Sequence, residues 1–238
     1  KIRRSKGVSY LYGVPYLRAM STLRQIIHLL GWEVRTEWRN RYALGSVLLY
    51  VVATTVVIYF AVQRFSPMTF NALYWVVLFF GATVASGRSF LREGGNRHYY
   101  YYTLAGPEAL LISKFLYNTL IIWLVSGLTW LLLGFFTSQN YVLEPGYFIL
   151  ALLLAGAGLS AILTFVAALA ARAGGSGTLM TVLSFPLVIP LLYLLVNAGG
   201  YAVGLTSGQE NSYLLLALAI DLLALAVGLV LFPFVWRD

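Results

Sequence analysis

The sequence predicts an all-α, polytopic membrane protein with six transmembrane helices behind a cytoplasmic amphipathic interfacial helix. Three observations predict it. Of the 238 residues, 60% are hydrophobic and only 10% charged, with a mean hydropathy of +0.81, whereas about a quarter of an average soluble chain is charged. Five stretches, 42–63, 65–87, 115–143, 145–171 and 173–209, contain no Asp, Glu, Lys or Arg, and a sixth, 213–236, is interrupted by Asp221 alone. A spanning helix needs about 20 apolar residues, so each of the six can cross a bilayer once. Finally, the charges sort by side. Alternating the loops from a cytoplasmic N-terminus puts every one of the 16 Lys and Arg residues except Arg64 on the cytoplasmic side, as the positive-inside rule requires. The net charge of +8 is therefore a signature of topology, and no nucleic-acid partner is expected.

The first 19 residues form a basic segment without the apolar centre of a signal peptide. Met20 directly precedes the first patterned segment and reads as a candidate natural start, with residues 1–19 non-native or disordered. Residues 20–42 repeat apolar side chains at helical spacing, Leu23, Ile26, Ile27, Leu30, Val34 and Trp38, with Arg24, His28, Arg35 and Arg39 between them. That pattern predicts an amphipathic helix lying in the headgroup layer. The remainder, 43–238, reads as the six-helix transmembrane domain.

Spans 1 and 2 are expected near 44–62 and 70–86, joined by the short outer turn 63–67, which forces a helical hairpin. The inner loop 88–108 is the most polar internal segment. It contains a Gly-Gly breaker, the four consecutive tyrosines Tyr99, Tyr100, Tyr101 and Tyr102, and a Gly-Pro stop. It reads either as an interfacial loop anchored by its tyrosines or as a short helix offered to a cytoplasmic partner. Span 3 is expected at 109–136. Span 4 follows the turn 137–145 and carries a small-residue patch, including Gly156, Gly158 and Ser160, that lets another helix approach closely. The glycine-rich connector 172–178 lacks the lysine of a phosphate-binding P-loop. Span 5, at 179–195, contains Pro186 and Pro190, tolerable where neighbours repair the broken helix ladder. A glycine-rich outer segment, 197–212, leads into span 6.

Asp221 sits eight residues into span 6, about 12 Å below its outer end. A carboxylate at that depth must face protein or water. It reads evenly as a functional group or as a structural one bonded to a facing Ser or Tyr. Other chemistry is absent. The chain has no cysteine, no Walker A motif, no H-E-x-x-H pair and no plausible Ser-His-Asp set. Both histidines, His28 and His98, fall on the cytoplasmic side, outside the spans. No catalytic residue and no metal ligand set is expected, and a chain without an energy source must work downhill or borrow energy from a partner.

The order of elements, an interfacial helix, a span hairpin, a long inner loop and four more spans, resembles the six-helix permeases of the ABC-2 type. More specifically, residues 37–44 (EWRNRYAL), 48–54 (LLYVVAT), 100–104 (YYYTL) with Pro107 and Ser113-Lys114, and 178–186 (TLMTVLSFP) are similar to the haem exporter protein B family, which supplies a membrane component of bacterial cytochrome c maturation. The resemblance runs from about residue 20 through span 5. It implies a bacterial inner-membrane permease that is not itself an enzyme. The ATP is bound by a separate cytoplasmic ATPase, a haem-handling membrane protein is a second partner, and a further copy of the chain is a third. Haem enters as cargo or on a partner, with no cofactor bound by this chain. In such permeases the loop between spans 2 and 3 docks on the ATPase. Carried onto this chain, that role falls to Arg88, Arg92, Glu93, Arg97 and Tyr99 to Tyr102, with Glu93 matching the family's acidic residue and the following Gly-Gly departing from its pattern. The alternative is a non-transporting scaffold that holds the maturation complex together through the small-residue faces. Tryptophan-rich haem-binding signatures belong to the haem-handling partner, and Trp75, Trp123 and Trp130 read as dispersed span and interface residues.

Overall fold

A computed structural model describes residues 21–39, 41–62, 64–91, 106–173, 177–206 and 210–237. Its regular elements are all helices: α1 (Thr22–Arg39), α2 (Arg41–Ala61), α3 (Pro67–Leu91), α4 (Pro107–Thr137), α5 (Pro145–Arg172), α6 (Gly177–Ala202) and α7 (Glu210–Arg237). The six from α2 to α7 are each long and apolar enough to cross a membrane, so the chain is a multi-pass membrane protein. Prolines open α3, α4 and α5 at their first turns, where the missing N–H has no intrahelical partner to lose and φ is already set for a helix.

Helix α5 is the axis of the bundle. It packs against α3, α4, α6 and α7 and is the most buried span, because alanines and glycines along it keep its radius small. By contrast, α2 and α7 show most of their surface outward, in Leu49, Val57, Phe60, Leu215, Leu223 and Val230 among others. Such apolar surface is stable against lipid and not against water. An aromatic cluster, Phe70 and Tyr74 of α3 with Phe148 of α5 and Trp130 of α4, fills the bundle near the α3 N-terminus.

Two features differ from the sequence reading. Helix α6 runs on to Ala202, so 197–202, expected as loop, is its last turn and a half. The glycines there do not break it because they serve packing: a Cβ at Gly199 would strike Asn71 and Trp75 of α3. Trp75 is an interior residue whose Nε1 donates to Asn71 Oδ1 at 2.9 Å. And the apolar positions of α1 do not all face one way, since Ile26 packs with Leu29 against Ala109 of α4 while Leu23, Ile27 and Val34 remain exposed.

Candidate functional site

At about 1.5 Å per residue, the 31 residues of α4 extend some 46 Å, well beyond a hydrocarbon core of about 30 Å. Its first two turns are where α1 docks. Gly106, extended at φ −66 and ψ 147, caps α4 by accepting from Leu110 N, and its own N–H donates to Gln25 Oε1 of α1 at 3.1 Å. Two turns along, Lys114 is fully buried and its Nζ lies 2.9 Å from Glu33 Oε1 of α1, whose side chain is 17% exposed. Gln25, Leu29 and Glu33 recur every fourth residue, so one stripe of α1 meets Gly106, Ala109 and Lys114 in turn. The junction thus holds the residue at which the chain enters α4; α3 runs on to Leu91 and α4 starts at Pro107, so both ends of the expected loop 88–108 are helical.

The loop's own candidates fall elsewhere. Arg88 belongs to the last turn of α3 by its backbone, but its side chain, like all of Arg92, Glu93, Arg97 and Tyr99 to Tyr102, lies outside the described residues.

The small-residue patch of α5 is packed from within the chain. A Cβ at Gly156 would overlap the Trp123 ring of α4, whose Nε1 donates to Leu153 O at 3.2 Å. Ser160 Oγ donates to Phe115 O at 2.7 Å, and Asn118 Nδ2 donates to Thr164 Oγ1 at 2.8 Å. These three bonds stitch α4 to α5 along the seam that the glycines bring close. On the other flank, a Cβ at Gly158 would overlap the Asp221 carboxylate of α7 and come within 2.7 Å of Leu191 of α6. Asp221 is 6% exposed, and neither carboxylate oxygen has a hydrogen-bond donor among the described residues. It faces a glycine backbone, not the Ser or Tyr that the sequence suggested as a partner.

Among the described residues no group of three His, Cys, Asp or Glu side chains is placed to hold a metal ion. His28 is on the exposed side of α1.

Compared with protein-family models, residues 24–236 match that of the CcmB protein. The chain belongs to the CcmB family. CcmB proteins are the haem exporter protein B family, so this chain is a membrane component of a haem export and cytochrome c maturation system of ABC type, working with partner proteins. Comparison with curated proteins gave no match. Within the CcmB frame, the residue that sequence reasoning undervalues is Lys114. The sequence shows it only as part of the motif Ser113-Lys114 and as one more cytoplasmic charge, whereas it is a buried partner of Glu33, 81 residues away. The signal available is its position, one charge at the head of a long apolar span.

Proposed function

We propose that the chain is the permease of an ABC-type complex in bacterial cytochrome c maturation, set in the inner membrane with both termini cytoplasmic. A separate ATPase docks on the loop 88–108 through Arg88, Arg92, Glu93, Arg97 and Tyr99 to Tyr102. ATP hydrolysis there is coupled to haem export or to release of a haem-loaded chaperone. Haem is cargo or rides on the haem-handling membrane partner, and ATP stays on the ATPase. The observation that carries this reading, beyond family membership, is the clamp at the loop's exit: Gly106 and Lys114 are held by Gln25 and Glu33 of α1. A push on the loop would be delivered to α4 and α1 together, not dissipated at a loose joint. From α4 it passes to α5 through the stitched seam.

The scaffold alternative assigned the small-residue faces to other proteins of the complex. Gly156, Gly158 and Ser160 already receive Trp123, Asp221 and the Phe115 carbonyl, so a scaffold would need other surfaces.

Co-expression of the chain with its ATPase and haem-handling partners, followed by purification in mild detergent, tests the proposal. The ATPase is expected to co-purify with the wild type and to be lost from Arg92→Glu and Glu93→Ala, with membrane insertion intact. Normal recovery of ATPase by both variants would reject the docking assignment.

A further inference from the structure

Helix α1 keeps its charges on separate sides. Gln25, Leu29, Glu33 and Glu37 form a single stripe at intervals of four. It is turned to the protein, with Gln25 and Leu29 buried and Glu33 and Glu37 partly so. Both acids of the helix are on that stripe. Its bases, Arg24, His28, Arg35 and Arg39, are all exposed. At about 100° per residue they share a second face, roughly 130° around the helix from the inner stripe, in a row about 22 Å long. Between the two stripes runs a third made of Leu23, Ile27 and Val34, exposed to 68%, 60% and 43%. The helix is not free to roll, because the Gly106 N–H and the Lys114 ammonium fix its inner stripe.

We propose that α1 is a docking surface for anionic phospholipid, with Leu23, Ile27 and Val34 in the acyl boundary and Arg24, Arg35 and Arg39 on headgroup phosphates. The order of the stripes decides for lipid over an acidic protein. A bilayer offers apolar and anionic matter in adjacent layers, which is what adjacent aliphatic and arginine rows require. An acidic protein surface would satisfy the arginines and leave three aliphatic side chains against polar groups. With the acids turned inward, nothing on the exposed side repels a net negative headgroup. Zwitterionic lipid balances its own phosphate, so lipid of net negative charge gains most.

The chain has no cysteine, so Ile27→Cys provides a unique site for a fluorophore on the aliphatic stripe of the full chain. Reconstitution into phosphatidylcholine vesicles with a minor fraction of phosphatidylglycerol allows bromine to be placed on one lipid or the other. Per bromine, the anionic lipid is expected to quench about twofold more strongly. The ratio should fall to one in Arg24→Gln/Arg35→Gln/Arg39→Gln and persist when the three are changed to Lys. A variant that misfolds would lose quenching by both lipids. As a measurement free of variants, raising the salt should collapse the wild-type ratio by screening. Equal quenching per bromine in the wild type at low salt would overturn the proposal and leave the arginine row to an acidic protein. A preference unchanged in the glutamine triple variant would overturn it too.

Discussion

Lys114 Nζ and Glu33 Oε1 are 2.9 Å apart, in a pair whose lysine is wholly withdrawn from solvent. The buried ammonium depends on the carboxylate that faces it. Taking an ammonium out of water costs several kcal/mol, and the facing carboxylate offsets that cost only while both are present. Glu33→Gln is therefore expected to destabilise the fold by about 3 kcal/mol, since it takes the facing carboxylate away from a buried ammonium. Glu33→Gln/Lys114→Met, which removes both, should be markedly milder than the sum of the single changes. Thermal unfolding of the four proteins in one detergent measures this. Strictly additive losses would show that the pair is not coupled.

The packing of Gly158 against Asp221 gives a second cycle. A methyl group at 158 would occupy the space of the carboxylate, and overpacking of this kind costs about 1–3 kcal/mol. Gly158→Ala should fall in that range in the native sequence. In an Asp221→Ala background it should cost less, because the nearest obstruction has gone, while Leu191, 2.7 Å from the same point, must still give way. The same unfolding assay reads the coupling. Equal penalties in both backgrounds would mean that α5 and α7 part readily at this level.

Much of the architecture is legible in the sequence because lipid imposes a length and a composition on each span. Charge-free runs of sufficient length mark five, a run broken by Asp221 alone marks the sixth, and prolines stand at the starts of α4 and α5. What is not legible is what depends on facing. The amphipathic pattern of α1 identifies the helix but merges two stripes, since Ile26 and Ile27 are alike in hydropathy while one meets Ala109 and the other is exposed. Glycines at 199 and 200 read as loop because a glycine that admits a neighbouring ring and one that breaks a helix are the same letter. Asp221 falls in its span as the sequence indicates, but it faces Gly158 and not the Ser or Tyr that one of its two readings offered, and which residue faces it across two helices has no local signal in one sequence. The Glu33 to Lys114 pair joins positions 81 residues apart, and a tertiary contact of that range leaves no local trace in one sequence.

Asn71 offers a prediction about how α3 is held to α6. Its Oδ1 accepts from Trp75 Nε1 at 2.9 Å and its Nδ2 donates to Val196 O at 2.8 Å, so one side chain satisfies a buried indole and ties two helices. Asn71→Leu nearly preserves volume but leaves the indole N–H without its acceptor, at about 1–3 kcal/mol for a stranded buried donor. Hydrogen bonds between membrane helices average only about 0.6 kcal/mol in mutant cycles, because an unfolded segment in lipid finds other partners. Trp75 is enclosed by Tyr74 and the Gly199 backbone, with little room for a substitute, so the larger figure should apply. Unfolding of Asn71→Leu beside Asn71→Leu/Trp75→Phe separates the two cases. A large loss in the first that is substantially recovered in the second would identify the stranded indole as its source. A loss near the membrane average in both would show that the indole finds another acceptor once α3 and α6 relax.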